Sequence, residues 1–190
     1  MQKHEIDRLI KKVECTSDYE LLYLVQKLIR ERNYLNKIVN RDTLTGLNNR
    51  RILGDIKDYS AAVMCDIDDY KQVNDLYGHS IGDSVIKTVG QILKSNVRDT
   101  DYVCRYGGDE FLIIFKDCEE HIVQKRIENI RKIAESSLVL SNGDKITMSF
   151  GIAMNNGDTL GDLIDKADQA LYESKENGKN QVSEYTKIKK

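Results

Sequence analysis

Two clusters of acidic residues lie beside apolar runs, and carboxylates in that setting can bind a divalent cation. An Asp-Ile-Asp-Asp segment that starts at Asp66 follows the apolar run 61–65, and Asp109 and Glu110 lie between two strand-like runs. Burying a carboxylate costs several kcal/mol unless a positive partner offsets the desolvation. Mg²⁺ binds a few carboxylate oxygens and shares the rest of its shell with phosphate and water. The clusters therefore predict a cation site at one edge of a sheet, or else ordinary acidic turn residues.

Glycine and lysine residues near these clusters suit a phosphate-bearing ligand. Gly107 and Gly108 carry no side chain, so a bulky ligand can approach the backbone there. The polar segment 74–83 precedes a predicted helix, and helix N-termini attract phosphate. Lys71, Lys175 and Lys179 could neutralise a polyphosphate, although lysines are also common on solvated surfaces. These residues indicate metal-dependent handling of a nucleotide or phosphate ester.

The elements that position these residues alternate along the chain. Helical spacing of apolar residues is found over 48–59, 82–96, 117–137 and 159–175, and strand-like runs over 61–65, 102–106, 111–115 and 145–154. The Gly-Gly pair between two strand runs predicts a hairpin. Helices that alternate with strands, two of them joined by a hairpin, predict an α/β (α+β) fold with a mixed sheet.

Residues 1–40 differ from the rest and contain no glycine. A short helical stripe runs from Ile6 to Val13, and Ser17 with Glu20 forms a capping-box pattern before a second helix. The apolar seam of that helix is heptad-like and contains one arginine: Leu21, Val25, Leu28, Arg32, Leu35 and Val39. We expect a helical extension over 1–40 that packs on its own domain, self-associates or docks on a partner sensor protein, followed by a separate domain over 41–186.

Composition narrows the class of protein further. The 190 residues carry a net charge of −2, which lacks the basic surplus expected of a general nucleic-acid binder. No apolar run reaches the roughly 18 residues needed to span a bilayer, and the N-terminus has no signal-peptide core, which predicts a cytoplasmic protein without membrane insertion. Cys15, Cys65, Cys104 and Cys118 match no metal-binding spacing, so we expect reduced, buried, non-catalytic thiols.

The segment 105–111, RYGGDEF in one-letter code, resembles the signature of the GGDEF family, the diguanylate cyclases. Segments 42–51, 66–79, 147–153 and 167–180 resemble further motifs of that family in the same order, so the resemblance covers about residues 41–185. Tyr70 stands where the family usually has Phe, and Ser174 where it often has Ala. The resemblance implies a palm-like domain with a mostly antiparallel or mixed five-stranded sheet flanked by helices. It also implies that two GTP are condensed into cyclic di-GMP and two pyrophosphates at a homodimer interface, with two Mg²⁺ or Mn²⁺ ions per active site.

The resemblance assigns roles to particular residues. Asp66 and Asp109 would bridge the metals, with the Ile67 carbonyl as a further ligand, and Glu110 would join the metal shell or assist deprotonation of the 3′-hydroxyl. Asn74 and Asp83 would bind the guanine edge. Lys71, Lys175 and Lys179 would contact the β- and γ-phosphates, and Lys71 would also be catalytic. Backbone amides near Asp69 and Tyr70 would bind the same phosphates. Gly107 and Gly108 would leave room for the nucleotide.

Arg98 and Asp101 resemble the family's Arg-x-x-Asp product-inhibition site, which either Arg126 or Arg131 would complete; the alternative is a surface ion pair. Two other functions stay open at this point. One is a catalytically silent receptor that binds GTP or cyclic di-GMP and relays a signal through its N-terminal helices. The other is a mixed AMP–GMP synthase, although the carboxylate at Asp83 favours GTP on both sides. The intact acidic motifs favour the active cyclase.

Overall fold

The computed structural model describes residues 19–140 and 142–186. The chain divides into two compact units, the first ending at Asn40 and the second beginning at Arg41. Helix α1, Tyr19–Val39, is the described part of the first unit, and it confirms the helix predicted there. The predicted helix from Ile6 to Val13, the Ser17 cap and Cys15 lie outside the described residues.

Exposed apolar side chains on α1 follow heptad spacing. These exposed residues are Leu21, Leu24, Leu28, Leu35 and Ile38. The predicted seam placed Val25 and Arg32 among them, whereas both side chains are half-buried. The other four members of the predicted seam, Leu21, Leu28, Leu35 and Val39, are exposed, and Leu24 and Ile38 extend the exposed stripe.

One mixed sheet of six strands forms the centre of the second unit, with the order β1-β3-β4-β2-β5-β6. The strands are β1 (Asn48–Asn49), β2 (Ala61–Ile67), β3 (Tyr102–Arg105), β4 (Glu110–Phe115), β5 (Met148–Met154) and β6 (Val182–Glu184). The four inner strands pair antiparallel, and the two short edge strands pair parallel with their neighbours. The mixed α/β fold class is confirmed, with six strands where five were expected.

Helices cover both faces of this sheet. They are a 3₁₀ helix (Arg50–Asp55), α2 (Tyr70–Tyr77), α3 (His79–Ser95), α4 (Glu120–Ser137) and α5 (Leu160–Glu176). Val63 and Cys65 of β2 pack in one layer with α3 and α4, and Ala62 and Met64 pack in the other with α5. Because both faces are covered, β2 is a continuous apolar run without polar alternation.

A close contact between backbones fixes α5 on β5. A Cβ atom added at Gly151 of β5 would overlap the backbone nitrogen of Leu171 and the carbonyl oxygen of Ala167. No side chain fits between strand and helix at this point, so glycine is required there.

Local predictions differ from the structure in a few places. The helix predicted over 48–59 is wrong in its first residues, because Asn48 and Asn49 pair with β3 and only Arg50–Asp55 is helical, as a 3₁₀ turn. The strand predicted over 145–154 begins at Met148. Among the described residues, no helix has the length and apolarity that crossing a membrane requires.

The cysteines in the described part of the chain behave largely as expected. Cys65 and Cys104 are buried free thiols, and Cys118 is half-buried. Burial raises the pKa of Cys104 to about 12 and that of Cys65 well above its ordinary value. Such thiols act as small apolar side chains.

Candidate active site

The end of β2 places Asp66 beside the C-terminal end of α5. Side chains alternate along the strand, so Asp66 lies on the same face as Met64, the face that α5 covers. Asp66 is only 6% exposed, and its Oδ2 lies 2.9 Å from Lys175 Nζ. Burial raises the pKa of Asp66 to about 6 despite the opposing effect of Lys175. The fold thus buries a carboxylate that Lys175 compensates incompletely.

Two further carboxylates lie beside Asp66, and we call the three together the acidic edge: Asp66, Asp109 and Glu110. Glu110 pairs directly opposite Asp66 across the β2–β4 ladder, where like charges are destabilising. The negative charges of Asp109 and Glu110 also contribute to the raised pKa of Asp66. A bound cation would relieve this repulsion.

The glycine hairpin before Glu110 is held by an arginine. Arg105 donates from Nε and Nη2 to the Gly108 carbonyl, at 2.9 and 2.6 Å, and its Nη1 lies 3.3 Å from Asp42 Oδ2. A Cβ at Gly107 would lie 2.6 Å from Glu110 Oε2, whereas Gly108 faces open space. Gly107 therefore allows the Glu110 carboxylate to fold back, and Gly108 leaves room for a ligand.

The two aspartates after Ile67 have different environments. Asp68 is buried and accepts hydrogen bonds from Thr147 Oγ1 at 2.6 Å and Ser149 Oγ at 2.6 Å. Asp69 is exposed, adopts a left-handed backbone (φ 54°) before α2, and its Oδ1 lies 2.6 Å from Lys179 Nζ. That contact raises the pKa of Lys179, so the lysine stays charged beside the acidic edge.

The predicted base-binding residues lie on α2 and α3. Asn74 Oδ1 is buried and has no hydrogen-bond partner among the described residues. A Cβ at Gly82 would overlap that oxygen and approach Tyr70 Oη to 2.8 Å. Gly82 thus makes room for the Asn74 side chain, and the open acceptor of Asn74 can receive a donor from a ligand.

The structure brings together only part of the predicted set. Asp66, Glu110, Lys175 and the Lys179–Asp69 pair lie at one end of the sheet, while Lys71 and Asp83 are exposed on their helices. Asp68 lies in the acidic segment that predicted a cation site, but no specific role was predicted for it, for Arg105 or for Asp42. Their partners are distant in sequence, and the only sequence signal for Asp68 is its position directly after a buried strand.

Arg98 and Asp101 lie at the opposite end of the sheet, about 17 Å away along β4. Asp101 is 5% exposed and accepts from Arg98 N at 3.0 Å, Lys116 N at 3.2 Å and Arg126 Nη1 at 3.2 Å. Of the two arginines named for this site, Arg126 contacts Asp101, whereas Arg131 binds Glu128, Glu135 and Asn180. A ligand that uses the Asp101 carboxylate must compete with these donors.

In residues 19–140 and 142–186, no group of three or more His, Cys, Asp or Glu side chains is already arranged as a metal cage. The donor chemistry of the acidic edge nevertheless fits a hard divalent cation, because it consists only of carboxylate oxygens near main-chain carbonyls. Burial chiefly raises the pKa of Asp66, and the negative charges of Asp109 and Glu110 add to the effect. The residues therefore fit a divalent ion that would replace Lys175 as the partner of Asp66.

Comparisons with known proteins show the family and the fold. The sequence model of the family described as "Diguanylate cyclase, GGDEF domain" matches residues 39–181. Over 134 residues the chain is 39% identical to Diguanylate cyclase A of Treponema denticola, an alignment that covers 68% of this chain and 36% of that protein. The chain spans less than half of the length of the curated relatives that it matches.

Two solved structures resemble nearly the whole chain. The coiled coil and GGDEF domain of DgcB from Caulobacter crescentus, in complex with c-di-GMP, has a TM-score of 0.73 at 27% identity and covers 96% of this chain and 100% of that one. The diguanylate cyclase SiaD from Pseudomonas aeruginosa, in complex with its activator SiaC, has a TM-score of 0.75 at 28% identity and covers 95% of this chain and 74% of that one.

Proposed function

Because this chain belongs to the diguanylate cyclase family of GGDEF domains, we propose that it condenses two GTP into cyclic di-GMP and releases two pyrophosphates. The observation that carries the proposal is the pairing of Asp66 with Glu110 across β2 and β4, with Lys175 beside Asp66. A buried carboxylate directly opposite a second, half-buried one is unfavourable for folding alone, which supports a ligand of opposite charge at this edge.

The acidic edge would hold the metal. Diguanylate cyclases of this family are generally dependent on divalent metals. Asp66, Asp109 and Glu110 would hold two ions, Mg²⁺ or Mn²⁺, together with the Ile67 carbonyl. When bound, the ions supply positive charge that favours ionisation of the 3′-hydroxyl and stabilises the leaving pyrophosphate. A Glu110 carboxylate oxygen either completes the ligand set or accepts the hydroxyl proton.

The lysines would exchange partners when substrate binds. Lys175 contacts Asp66, and Lys179 contacts Asp69. Once the triphosphate and its cation enter, both ammonium groups can move to the β- and γ-phosphates, with Lys71 as a third cation. Backbone amides near Asp69 would add hydrogen bonds to the same phosphates.

Asn74 and Asp83 would read the base. Asn74 Oδ1 is an acceptor with no partner in the described part of the chain, and guanine offers an N1–H and a 2-amino group that adenine lacks. Leaving a buried acceptor unpaired is costly, so this pair of residues favours guanine over adenine. The mixed AMP–GMP synthase is less consistent with a carboxylate at Asp83.

The reaction needs two subunits, because each would hold one GTP. In each half-reaction the 3′-hydroxyl oxygen of one GTP bonds to the α-phosphorus of the other, and the α–β bridging bond breaks. Pyrophosphate leaves with that electron pair, and the hydroxyl proton passes to a carboxylate or to water. Two such steps close the ring, which makes a face-to-face homodimer the active species.

Cyclic di-GMP would also inhibit the enzyme at Arg98 and Asp101. Arg98 is exposed, so its guanidinium can reach phosphate or guanine. Arg126 holds Asp101 and would complete this site in preference to Arg131. A relative that was solved with c-di-GMP supports product binding by this fold.

Residues 1–40 would bring two catalytic domains together or accept a partner protein. One relative was solved with a coiled coil and another with an activator, which supports both readings. Replacing Leu24 and Leu28 with Glu should lower activity per mole most strongly at low protein concentration. Activity that stays the same at every concentration would show that the exposed stripe has no part in assembly.

The test of the proposed function is turnover. Purified protein, stripped of bound nucleotide, is incubated with GTP and Mg²⁺ at several protein concentrations, and the products are separated and weighed. We expect cyclic di-GMP from the wild type and none from Asp109→Asn, even when ATP competes with GTP. Tight GTP binding without product would favour a silent receptor, and a mixed dinucleotide would favour the synthase.

A further inference from the structure

The turn after α5 has an unusual backbone. Gly178, Lys179 and Asn180 all have positive φ angles, of 110°, 63° and 46°. Left-handed backbone at a residue other than glycine is strained, and it persists only where the surroundings hold it. Two successive residues of this kind, one of them a substrate-binding candidate, indicate that the turn is held from outside.

Asp68 holds the turn from the sheet side. Its Oδ2 accepts a hydrogen bond from Asn180 N at 3.0 Å and from Thr147 Oγ1 at 2.6 Å. Ser149 Oγ donates to the other carboxylate oxygen at 2.6 Å. Asp68 is 6% exposed, so its hydrogen bonds are shielded from water. This carboxylate therefore ties the end of β2, the start of β5 and the turn to one point.

Helix α4 holds the same turn from the other side. Arg131 Nη1 donates to Asn180 Oδ1 at 2.7 Å, and Asn180 Nδ2 donates to Glu135 Oε1 at 3.0 Å. Arg131 also lies 2.9 Å from Glu135 Oε2, and its side chain is only 13% exposed. The backbone amide and both side-chain polar atoms of Asn180 are thus all engaged.

We infer that Asp68, Arg131 and Glu135 are positioning residues, which hold the 178–180 turn in its left-handed form and so preset Lys179 for the β- and γ-phosphates. The inference rests on the proposed function. Lys179 Nζ already lies 2.6 Å from Asp69 Oδ1, at the start of α2. A lysine whose backbone is fixed before the ligand arrives loses less conformational entropy when its ammonium group moves from Asp69 to the phosphates. The clamp strengthens triphosphate binding without touching the nucleotide.

Asn180→Gly tests the clamp with little risk to folding. Glycine tolerates the positive φ and keeps the amide that donates to Asp68, while both contacts with α4 are lost. Asn177→Gly is the matched control, because Asn177 is an exposed asparagine of the same loop with ordinary backbone (φ −83°).

Two probes separate phosphate binding from base binding. They are guanosine 5′-(α,β-methylene)triphosphate with Mg²⁺, which cannot release pyrophosphate, and GMP, which lacks the β- and γ-phosphates. We expect Asn180→Gly to raise the dissociation constant of the triphosphate analogue roughly three- to tenfold and to leave that of GMP unchanged. Asn177→Gly should change neither constant.

Arg131→Gln provides a second test of the clamp. If both residues act through one clamp, the double variant Arg131→Gln with Asn180→Gly should weaken the analogue no more than the stronger single variant. Lys179→Ala sets the upper limit of the effect. If Asn180→Gly weakens the binding of the analogue and of GMP equally, or leaves the dissociation constant of the analogue unchanged, the clamp is overturned. A wild type that binds neither probe would instead overturn the proposed function, and the inference with it.

Discussion

Asp66 and Asp101 are both buried aspartates, at opposite ends of the same sheet, and their surroundings are opposite in character. Asp101 accepts hydrogen bonds from two backbone amides and from Arg126. Asp66 has Lys175 as its cation and faces Glu110, with Asp109 nearby. The fold supplies hydrogen-bond donors to Asp101 and places further negative charge beside Asp66. A carboxylate with a full set of donors stabilises the fold, and one without them indicates a site for a ligand.

Asp66→Asn gives the largest expected effect. Removing this charge should lower the rate of cyclic di-GMP formation by about a thousandfold, because a metal ligand is lost. The free energy of unfolding should stay the same or rise, since repulsion with Glu110 disappears and the half-exposed Lys175 can turn to water. Initial rates and urea denaturation measure the two quantities. A rate within threefold of the wild type would remove Asp66 from the chemistry.

Asp101→Ala should affect stability instead. It leaves the amides of Arg98 and Lys116 and the half-buried Arg126 without their acceptor, so we expect the free energy of unfolding to fall by about 3 kcal/mol. Urea denaturation at neutral pH measures the change. Asp99→Ala is the control, because the Asp99 side chain is fully exposed, and its stability should equal that of the wild type. Equal stability of Asp101→Ala and Asp99→Ala would contradict the structural role of Asp101.

Gly82→Ala tests base recognition close to the acidic edge. The added methyl group overlaps Asn74 Oδ1, so the Asn74 side chain must turn away from its buried position. We expect about a tenfold loss of affinity for GMP, measured by calorimetry, because the guanine donors lose their acceptor. Gly161→Ala is the control, since its Cβ would lie 3.8 Å from Thr159 Oγ1, an ordinary contact. Unchanged GMP binding would exclude Asn74 from base recognition.

Arg98→Ala should give the smallest effect. The side chain is exposed, and the backbone amide that donates to Asp101 remains in the variant, so stability should not change. The concentration of cyclic di-GMP at which turnover stalls should rise about threefold or more, because one phosphate-binding cation is lost. Progress curves at several starting levels of product measure it. If turnover stalls at the same concentration of cyclic di-GMP as in the wild type, Arg98 has no part in product binding.

Local patterns were sufficient to predict the central elements. The apolar run 61–65 predicts the buried strand that ends beside Asp66, and the Gly-Gly pair predicts the β3–β4 hairpin. Helix α2 was not predicted, because only Gly78, with φ 80°, separates it from α3, and one glycine is a weak boundary signal. The short edge strands β1 and β6 are held by pairing with strands distant in sequence, which local periodicity does not show.

The site was predicted from motifs and only partly from physics. Acidic residues next to buried strands indicate a cation site, but which carboxylate is satisfied depends on distant partners. Asp68 is bound by Thr147 and Ser149, about eighty residues later in the chain, and Asp101 by Arg126 on α4. Neither set of contacts can be recognised from the spacing of neighbouring residues in the sequence. The roles of Lys175 and Lys179 likewise depended on resemblance, since isolated lysines are common on surfaces.

Gly151 bears on how this protein can diverge in sequence. Backbone atoms of β5 and α5 meet there, so contact between main chains, rather than the shape of particular side chains, sets the distance between strand and helix. Lys175 lies one turn beyond that contact, beside Asp66. Substitutions among apolar residues elsewhere in the core can therefore accumulate without moving this lysine, whereas any side chain at position 151 would displace it. Position 151 is therefore where a substitution would most directly change the distance between β5 and α5.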